Sequence, residues 1–164
     1  MSSGSRSANR FHALLSHTVV RISDPYVGYE AIMNENEISY SISKQSNLLM
    51  ELLNAPTYAI TEVAKNNIKE ASVSGVYLIS LSGSNEILYI GKNESQTVYG
   101  RAWQHVYTGA TSDLKAMIKL YDDLPQELTE YQIRWIQIDD PRERHFFEAF
   151  AMGVLCTRMN FKKK

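Results

Sequence analysis

The sequence of 164 residues predicts a mixed α/β (α+β) domain, in which a small antiparallel sheet is flanked by helices. Two short apolar segments are joined by Ser82-Gly83-Ser84-Asn85, which predicts a hairpin because Gly and Asn adopt positive φ at little cost. A third apolar segment covers residues 131–139. Apolar residues at helical spacing lie between and after these strands, which indicates helices packed on the sheet.

The elements of residues 73–164 have the clearest patterns. The expected elements, in order, are strands at 75–81 and 86–91, a helix between residue 97 and Gly109, a helix capped by Thr111 or Ser112, a strand at 131–139 and a helix from Pro141 through Leu155. Neither face of the third strand is cleanly polar, so we expect a central strand covered on both sides. Asp140 is the expected N-cap of the last helix, and Glu143 completes a capping box. The resulting order is β-β-α-α-β-α.

The first 72 residues give weaker signals. Residues 1–10 are rich in Ser and predict a disordered tail, and residues 11–72 predict a mostly helical N-terminal extension. The expected elements of this extension are a short helix or strand at 11–20, a turn around 24–28, a strand at 37–42, a helix from Ser46 or Asn47 to Asn54, and a helix at 57–69.

Composition excludes several classes of protein. With 44% hydrophobic residues the chain can bury a core without disulfides, and its single cysteine, Cys156, is expected to be a buried structural thiol. No apolar segment approaches the ~20 residues that span a bilayer, and the N-terminus lacks the apolar region of a secretory signal, so we expect a cytoplasmic protein without membrane contact. A net charge of -1 argues against a protein that coats DNA nonspecifically.

Five side chains that suit phosphodiester chemistry follow one another on these elements. Tyr77 and Tyr89 lie on adjacent strands of the hairpin, and Arg101 and His105 are one helical turn apart, so each pair can meet. Glu148 lies in an apolar helical segment, where a carboxylate needs a partner. A guanidinium can stabilise charge on phosphate, a phenol or imidazole can accept a proton from water, and a carboxylate can hold a divalent metal ion.

Structural roles are the alternatives for each residue taken alone. A tyrosine in a strand is usually a packing residue. Glu148 has Arg144 four residues earlier as an ordinary ion-pair partner. Trp103 and Tyr107, on the helix of Arg101, are expected at the core or its rim rather than as platforms for nucleic-acid bases.

The arrangement resembles the GIY-YIG nuclease superfamily over residues 73–161. The two motifs that name this superfamily correspond to Gly75-Val76-Tyr77 and Tyr89-Ile90-Gly91. Its later positions match Arg101, His105, Glu148 and Asn160. Each tripeptide alone is a weak signal, whereas all these positions in this order, on these elements, are a strong one.

The resemblance implies a role for each position. Tyr77 is expected to orient or deprotonate the attacking water, and Tyr89 to support it or to contact phosphate. Arg101 is expected to stabilise charge on the phosphate, and His105 to hydrogen-bond Tyr77 and relay its proton. Glu148 is the expected ligand of Mg²⁺ or Mn²⁺.

Three further residues are expected to support this site. Lys92 directly follows the second motif, where it can assist at the phosphate or lie solvated in a loop. Gly91 closes the second motif. Asn160 is expected to fix the end of the chain through backbone hydrogen bonds.

The resemblance also implies an activity, the metal-dependent endonucleolytic hydrolysis of DNA. A compact chain with a short extra region best suits the restriction and phage-type members of the superfamily. A catalytically inactive nucleic-acid-binding module on the same fold and an RNA-cleaving nuclease are the alternatives. Because each chain carries one active site, we expect a homodimer at least on DNA, with residues 11–72 in target recognition or dimer contacts and residues 73–164 as the catalytic domain.

Overall fold

The computed structural model describes residues 20–23, 30–66, 68–84, 86–108 and 113–161. The chain divides into two compact units, residues 1–44 and 45–164. The strands are β1 (Val20–Ser23), β2 (Glu30–Met33), β3 (Tyr58–Ala59), β4 (Gly75–Leu81), β5 (Ile87–Lys92) and β6 (Tyr131–Gln137). The α-helices are α1 (Glu35–Asn54), α2 (Ile60–Asn66), α3 (Val98–Tyr107), α4 (Leu114–Ile118) and α5 (Pro141–Leu155). None of these helices is both long and apolar enough to cross a membrane.

The first unit contains a hairpin that the sequence did not predict. β1 and β2 pair antiparallel, with Val20 opposite Met33. The predicted tail at 1–10, most of the element predicted at 11–20 and the turn predicted around 24–28 lie outside the described residues.

The strand predicted at 37–42 is wrong, since these residues belong to α1. A reciprocal capping box starts the helix: the Glu37 amide donates to Asn34 Oδ1 (3.0 Å), and the Asn34 amide donates to Glu37 Oε2 (2.9 Å). The alternating apolar residues do not form a buried face, because Tyr40 is 73% and Ile42 54% exposed. The predicted end of the helix at Asn54 is confirmed.

A four-stranded antiparallel sheet in the order β3-β6-β4-β5 forms the centre of the second unit. In β4, Tyr77 lies opposite Gly91 of β5 on one side and Trp135 of β6 on the other. β6 is also central, because its Ile133 pairs with Tyr58 of β3. The small antiparallel sheet and the central third strand predicted from the sequence are confirmed. The helix predicted at 57–69 is instead β3 followed by the shorter α2.

Helices cover both faces of this sheet. Successive residues of a strand point to opposite faces, and β4 is buried along almost its whole length. Tyr77 and Ile79 pack in one cluster with residues of α2, α3 and α4. Val76 and Leu78 pack in the other with residues of α5 and with Leu52 of α1. The compact unit that contains the sheet therefore includes β3, α2 and the residues of α1 from position 45 onward. The sequence predicted these segments as part of the N-terminal extension.

The predicted order β-β-α-α-β-α is confirmed as β4-β5-α3-α4-β6-α5. The hairpin turn contains Gly83 with φ +84°, the positive φ that the sequence predicted. Asp140 caps α5, and its side chain accepts from the amides of Arg142 and Glu143. The predicted caps of α3 and α4 at 109, 111 and 112 lie outside the described residues.

Cys156 is exposed, so the prediction of a buried thiol is wrong. This residue ends α5 in the left-handed region, with φ 48°. The helical repeat that predicted burial stops at Leu155, which leaves the thiol outside the core.

Candidate active site

The ring of Tyr77 packs against the backbone of Gly91. The two residues are paired in the β4–β5 ladder, and Tyr77 is fully buried. A Cβ built on Gly91 would lie 2.5 Å from Tyr77 Oη and 2.7 Å from Tyr89 Cε1. Only glycine leaves room for both rings at this position. Steric crowding therefore explains why the second motif ends in glycine.

Tyr77, Tyr89 and His105 form a compact cluster of three rings. The centroids of the two tyrosine rings are 6.1 Å apart, and the His105 ring lies 5.7 Å from Tyr77 and 5.8 Å from Tyr89 in edge-on geometry. The imidazole comes from α3, so packing of this helix on the sheet brings together residues that are far apart in sequence. Three of the five expected site residues therefore meet in one place.

His105 is completely buried and is held by hydrogen bonds at both ring nitrogens. Nδ1 accepts from the amide of Leu114 (3.1 Å), and Nε2 lies 2.9 Å from Tyr77 Oη. Burial, followed by the charge of Arg101, lowers the pKa of His105 to about 4. The imidazole is neutral at neutral pH, and because Nδ1 is an acceptor its proton is on Nε2.

His105 therefore donates to the Tyr77 oxygen in this arrangement. The hydrogen bond between them matches the expectation from the sequence, but its direction does not favour transfer of the Tyr77 proton to His105. An Nε2–H that points at the phenol oxygen instead stabilises negative charge there. The Tyr77 hydroxyl must direct its own hydrogen elsewhere, towards the side of the cluster where Tyr89 lies.

Both phenols are neutral in the free protein. Burial raises the pKa of Tyr77, further helped by the nearby Tyr89, while Arg101 opposes the shift. Burial also raises the pKa of Tyr89, again against the lowering influence of Arg101. The guanidinium is thus the group that most directly favours the phenolate form of either tyrosine.

Arg101 has one side-chain donor that no described residue accepts from. Its Nη1 donates to Gln104 Oε1. Its Nε is buried and has no hydrogen-bond partner among the described residues. An unpaired buried N–H is unfavourable, so this atom fits a site whose ligand is an oxyanion.

Glu148 pairs with Lys92 and not with Arg144. Lys92 Nζ lies 3.9 Å from Glu148 Oε2 and 2.6 Å from Glu94 Oε1. The Arg144 guanidinium is buried and donates to the carbonyls of Ile138 (2.7 Å) and Asp139 (2.8 Å). The alternative of an ion pair with Arg144 is therefore not observed, because that guanidinium binds the carbonyls that precede α5.

An open cleft of about 320 Å³ connects the charged groups. It is lined by Lys92, Glu94, Ser95, Gln96, Arg101, Gln104 and Glu148. Two cations and two carboxylates thus share one cavity, next to the buried phenols. The structure brings all five expected site residues, together with Lys92, into or beside this cleft.

Two asparagines hold the strands and loop around the site, and only one was expected. The Asn160 amide binds the free edge of β5, accepting from the Ile90 amide (2.8 Å) and donating to the Ile90 carbonyl (2.7 Å), as predicted. Asn93 is fully buried; its Oδ1 accepts from the Gly75 amide (2.6 Å), and its Nδ2 donates to the Gln96 carbonyl. Nothing in the sequence singles out Asn93, since an asparagine after a strand is an ordinary loop residue.

The residues of the cleft fit a hard divalent cation. The carboxylate of Glu148 is largely buried, and burial raises its pKa in spite of the opposing charge of Lys92. A desolvated carboxylate at a cleft gains from a nearby cation, and one carboxylate with waters and phosphate oxygens is a suitable donor set for Mg²⁺. Among the described residues, no group of three or more acidic, His or Cys side chains forms a ready-made metal cage.

Comparison with solved structures finds nuclease domains. The chain is similar to the GIY-YIG N-terminal endonuclease domain of UvrC from Thermotoga maritima bound to its catalytic divalent cation, magnesium, with a TM-score of 0.39 and 17% identity over 70% of this chain and 97% of that chain. A tyrosine-to-phenylalanine point mutant of that domain, bound to its catalytic divalent cation, has a TM-score of 0.38 and 16% identity over 71% and 97%. Both domains are described as GIY-YIG, the superfamily that the two sequence motifs resemble. No protein-family profile and no curated protein matches the sequence.

The buried, neutral His105 predicts a loss of stability in acid. Its folded pKa of about 4 lies below the ordinary value of ~6.5, so the unfolded chain binds a proton first as the pH falls between these values. The free energy of unfolding should therefore decrease over this window, by up to about 1.4 kcal/mol per pH unit from this group. Urea unfolding at about pH 7 and about pH 5 measures the change.

One variant tests the assignment to this residue. His105→Gln should weaken the dependence of stability on pH. An unaltered pH dependence in His105→Gln would contradict the assignment.

Proposed function

We propose that this protein is a divalent-metal-dependent endonuclease of the GIY-YIG type that hydrolyses DNA phosphodiester bonds. The observation that carries the proposal is the cleft that Arg101, Lys92 and Glu148 line together, with the ring cluster of Tyr77, Tyr89 and His105 next to Arg101. A guanidinium, a phenol and a carboxylate are groups that phosphodiester hydrolysis needs.

Arg101 is proposed to bind the scissile phosphate. Its free Nε–H satisfies one phosphate oxygen, and the positive charge offsets the negative charge that grows on the phosphate as water attacks. Lys92, at the other side of the cleft, supplies a second positive charge for the same anion. Its present contacts with Glu94 and Glu148 hold the ammonium at the cleft wall.

Tyr77 is proposed to orient the attacking water and to accept its proton. For this step Tyr77 must first release its own proton to solvent, since a neutral phenol is not a base. The water oxygen then attacks phosphorus, the bond to the leaving oxygen breaks, the proton of the water moves to the phenolate oxygen, and the leaving oxygen takes a proton from solvent. Burial keeps the phenol neutral before substrate binds, and the donated Nε2–H of His105 together with Arg101 favours negative charge on this oxygen. His105 is thus a positioning residue that acts through Tyr77, and Tyr89 supports the same cluster.

Glu148 is proposed to hold Mg²⁺ or Mn²⁺ at the cleft. When bound, such an ion supplies Lewis-acid stabilisation of the charge on the leaving oxygen. The roles of the other residues do not depend on which of the two ions is present.

A restriction or phage-type enzyme that acts in the cytoplasm is the proposed subclass. The near-neutral net charge of -1 favours local contacts at the cleft over long nonspecific contacts with DNA. An inactive binding module and an RNA nuclease are the alternatives that the activity assays below separate.

Cleavage of DNA should require both a divalent metal ion and Glu148. Purified protein should nick plasmid DNA in Mg²⁺ and stop in excess chelator. Glu148→Gln keeps the size of the side chain but removes its charge, so it should fold normally, bind Mn²⁺ more weakly in calorimetric titration and lose turnover. Full activity in chelator would refute the role of Glu148 as a metal ligand. Cleavage of RNA alone would change the proposed substrate from DNA to RNA. A folded wild-type chain that binds DNA but never cuts it would support the inactive module.

Removing the hydroxyl of Tyr77 should lower the rate of cleavage by at least ~10²-fold, because the proton acceptor of the reaction is lost while the ring still packs. Tyr77→Phe is compared with Tyr131→Phe in single-turnover assays. Tyr131 is also buried, and its hydroxyl donates to the Pro125 carbonyl (2.6 Å) on another part of the sheet. Its variant should cut at the normal rate. Equal rates for both variants would show that a residue other than Tyr77 accepts the proton.

A homodimer is expected on DNA, because one active site per chain cuts only one strand at a time. Residues 11–72 are the proposed source of dimer or target contacts. Residues 1–72 carry 6 Lys+Arg against 7 Asp+Glu, a balance that does not favour nonspecific binding to DNA. Light scattering with and without DNA, in chelator, measures the mass. A chain that stays monomeric on DNA and still makes double-strand breaks at a rate independent of protein concentration would exclude the dimer.

A further inference from the structure

Two large aromatic side chains on α3 are exposed. Trp103 is 45% exposed and Tyr107 55%, and their ring centroids are 5.6 Å apart. Of the two positions expected from the sequence, the core or its rim, the core is excluded, because the face of α3 that carries Arg101 and His105 is the one turned to the sheet. The exposed pair is an apolar surface of two flat rings with polar edges.

This aromatic pair lies on α3, the helix that contributes Arg101 and Gln104 to the cleft. Gln104 lines the cleft and accepts a hydrogen bond from Arg101, and Tyr107 follows Gln104 by three residues on the same helix. Residues at this spacing are neighbours on a helix surface, about 5–6 Å apart at Cβ. Arg101 and Tyr107 are thus separated by about 9 Å along the helix axis.

We propose that Trp103 and Tyr107 form a stacking platform for an unpaired base of the nucleic-acid strand whose phosphate binds in the cleft. The inference rests on the proposed function. A nucleic-acid strand alternates phosphates with flat bases. On α3 the cation Arg101 is followed by the rings of Trp103 and Tyr107, within the reach of roughly one or two nucleotides, so the surface matches such a strand.

The chemistry of stacking defines the substrate class. Every base has a π-face, so the platform tolerates sequence, but a base in a regular duplex is already covered on both faces by its neighbours. The strand bound here is therefore one with an unpaired nucleotide next to the cleaved phosphate, such as a single strand, a flap or an extruded base.

Binding is tested without turnover, on the full chain in chelator. Fluorescence anisotropy gives the affinity for three labelled DNAs of equal length: a single strand, the same strand with abasic sites, and a duplex. The chain has two tryptophans, so Trp135→Phe leaves Trp103 as the reporter of stacking. Its emission should be quenched by the single strand with bases and not by the abasic strand.

Matched variants separate a flat ring from mere apolarity. Trp103→Leu should lower the affinity for the single strand about tenfold and leave the abasic strand unaffected, since stacking contributes about that factor per base. Trp103→Phe should restore most of the affinity. Leu120→Ala, at a position 70% exposed on another part of the surface, should change neither affinity.

The possible outcomes distinguish this inference from the proposed function. If the wild-type chain binds the single strand, Arg101→Ala weakens that binding and Trp103→Leu does not, the cleft binds nucleic acid but the platform is refuted. If Trp103→Leu alters the molecular mass in light scattering and not the affinity, the surface is a contact between copies of the chain and the platform is refuted. A wild-type chain that binds none of the DNAs refutes both proposals.

Discussion

The contact between the Tyr77 ring and the backbone of Gly91 fixes the geometry of the site. It depends on the β4–β5 pairing, which places the two residues opposite each other. A shift of one residue in this register would turn the phenol to the other face of the sheet, away from α3. His105 and Arg101 can meet Tyr77 because α3 packs on the face to which the phenol points.

Burial sets the electrostatics of this cluster. Tyr77 and His105 are buried in the free protein, so both are neutral there, because burial raises the pKa of the phenol and lowers the pKa of the imidazole. The backbone amide of Leu114 then selects the tautomer, because it occupies Nδ1. A backbone group with no chemistry of its own thereby decides that His105 donates to the phenol. Charged residues are placed one layer farther out, at the cleft, where solvent and ligand can reach them.

The sequence predicted which elements carry the candidate site residues. The structure places Arg101 and Glu148 in one cleft with the buried Tyr77 beside it, because each occupies the element that the pattern predicted. The alternative partner of Glu148, Arg144, is not observed, since residues four apart on a helix can interact but need not do so. Asn93 gave no signal, because its role depends on the position of the Gly75 amide, 18 residues earlier in the chain.

The sequence by itself determined the elements of the second half of the chain, the turn at Gly83 and the cap at Asp140, because these depend on neighbouring residues. It failed at residues 37–42, where an alternating pattern competed with the capping box of Asn34 and Glu37. Only the tertiary structure decided that β3 joins the sheet, which ring nitrogen of His105 carries the proton and which aromatic rings of α3 are exposed. These features depend on which face of an element meets another part of the chain, and a local pattern does not specify its distant partner.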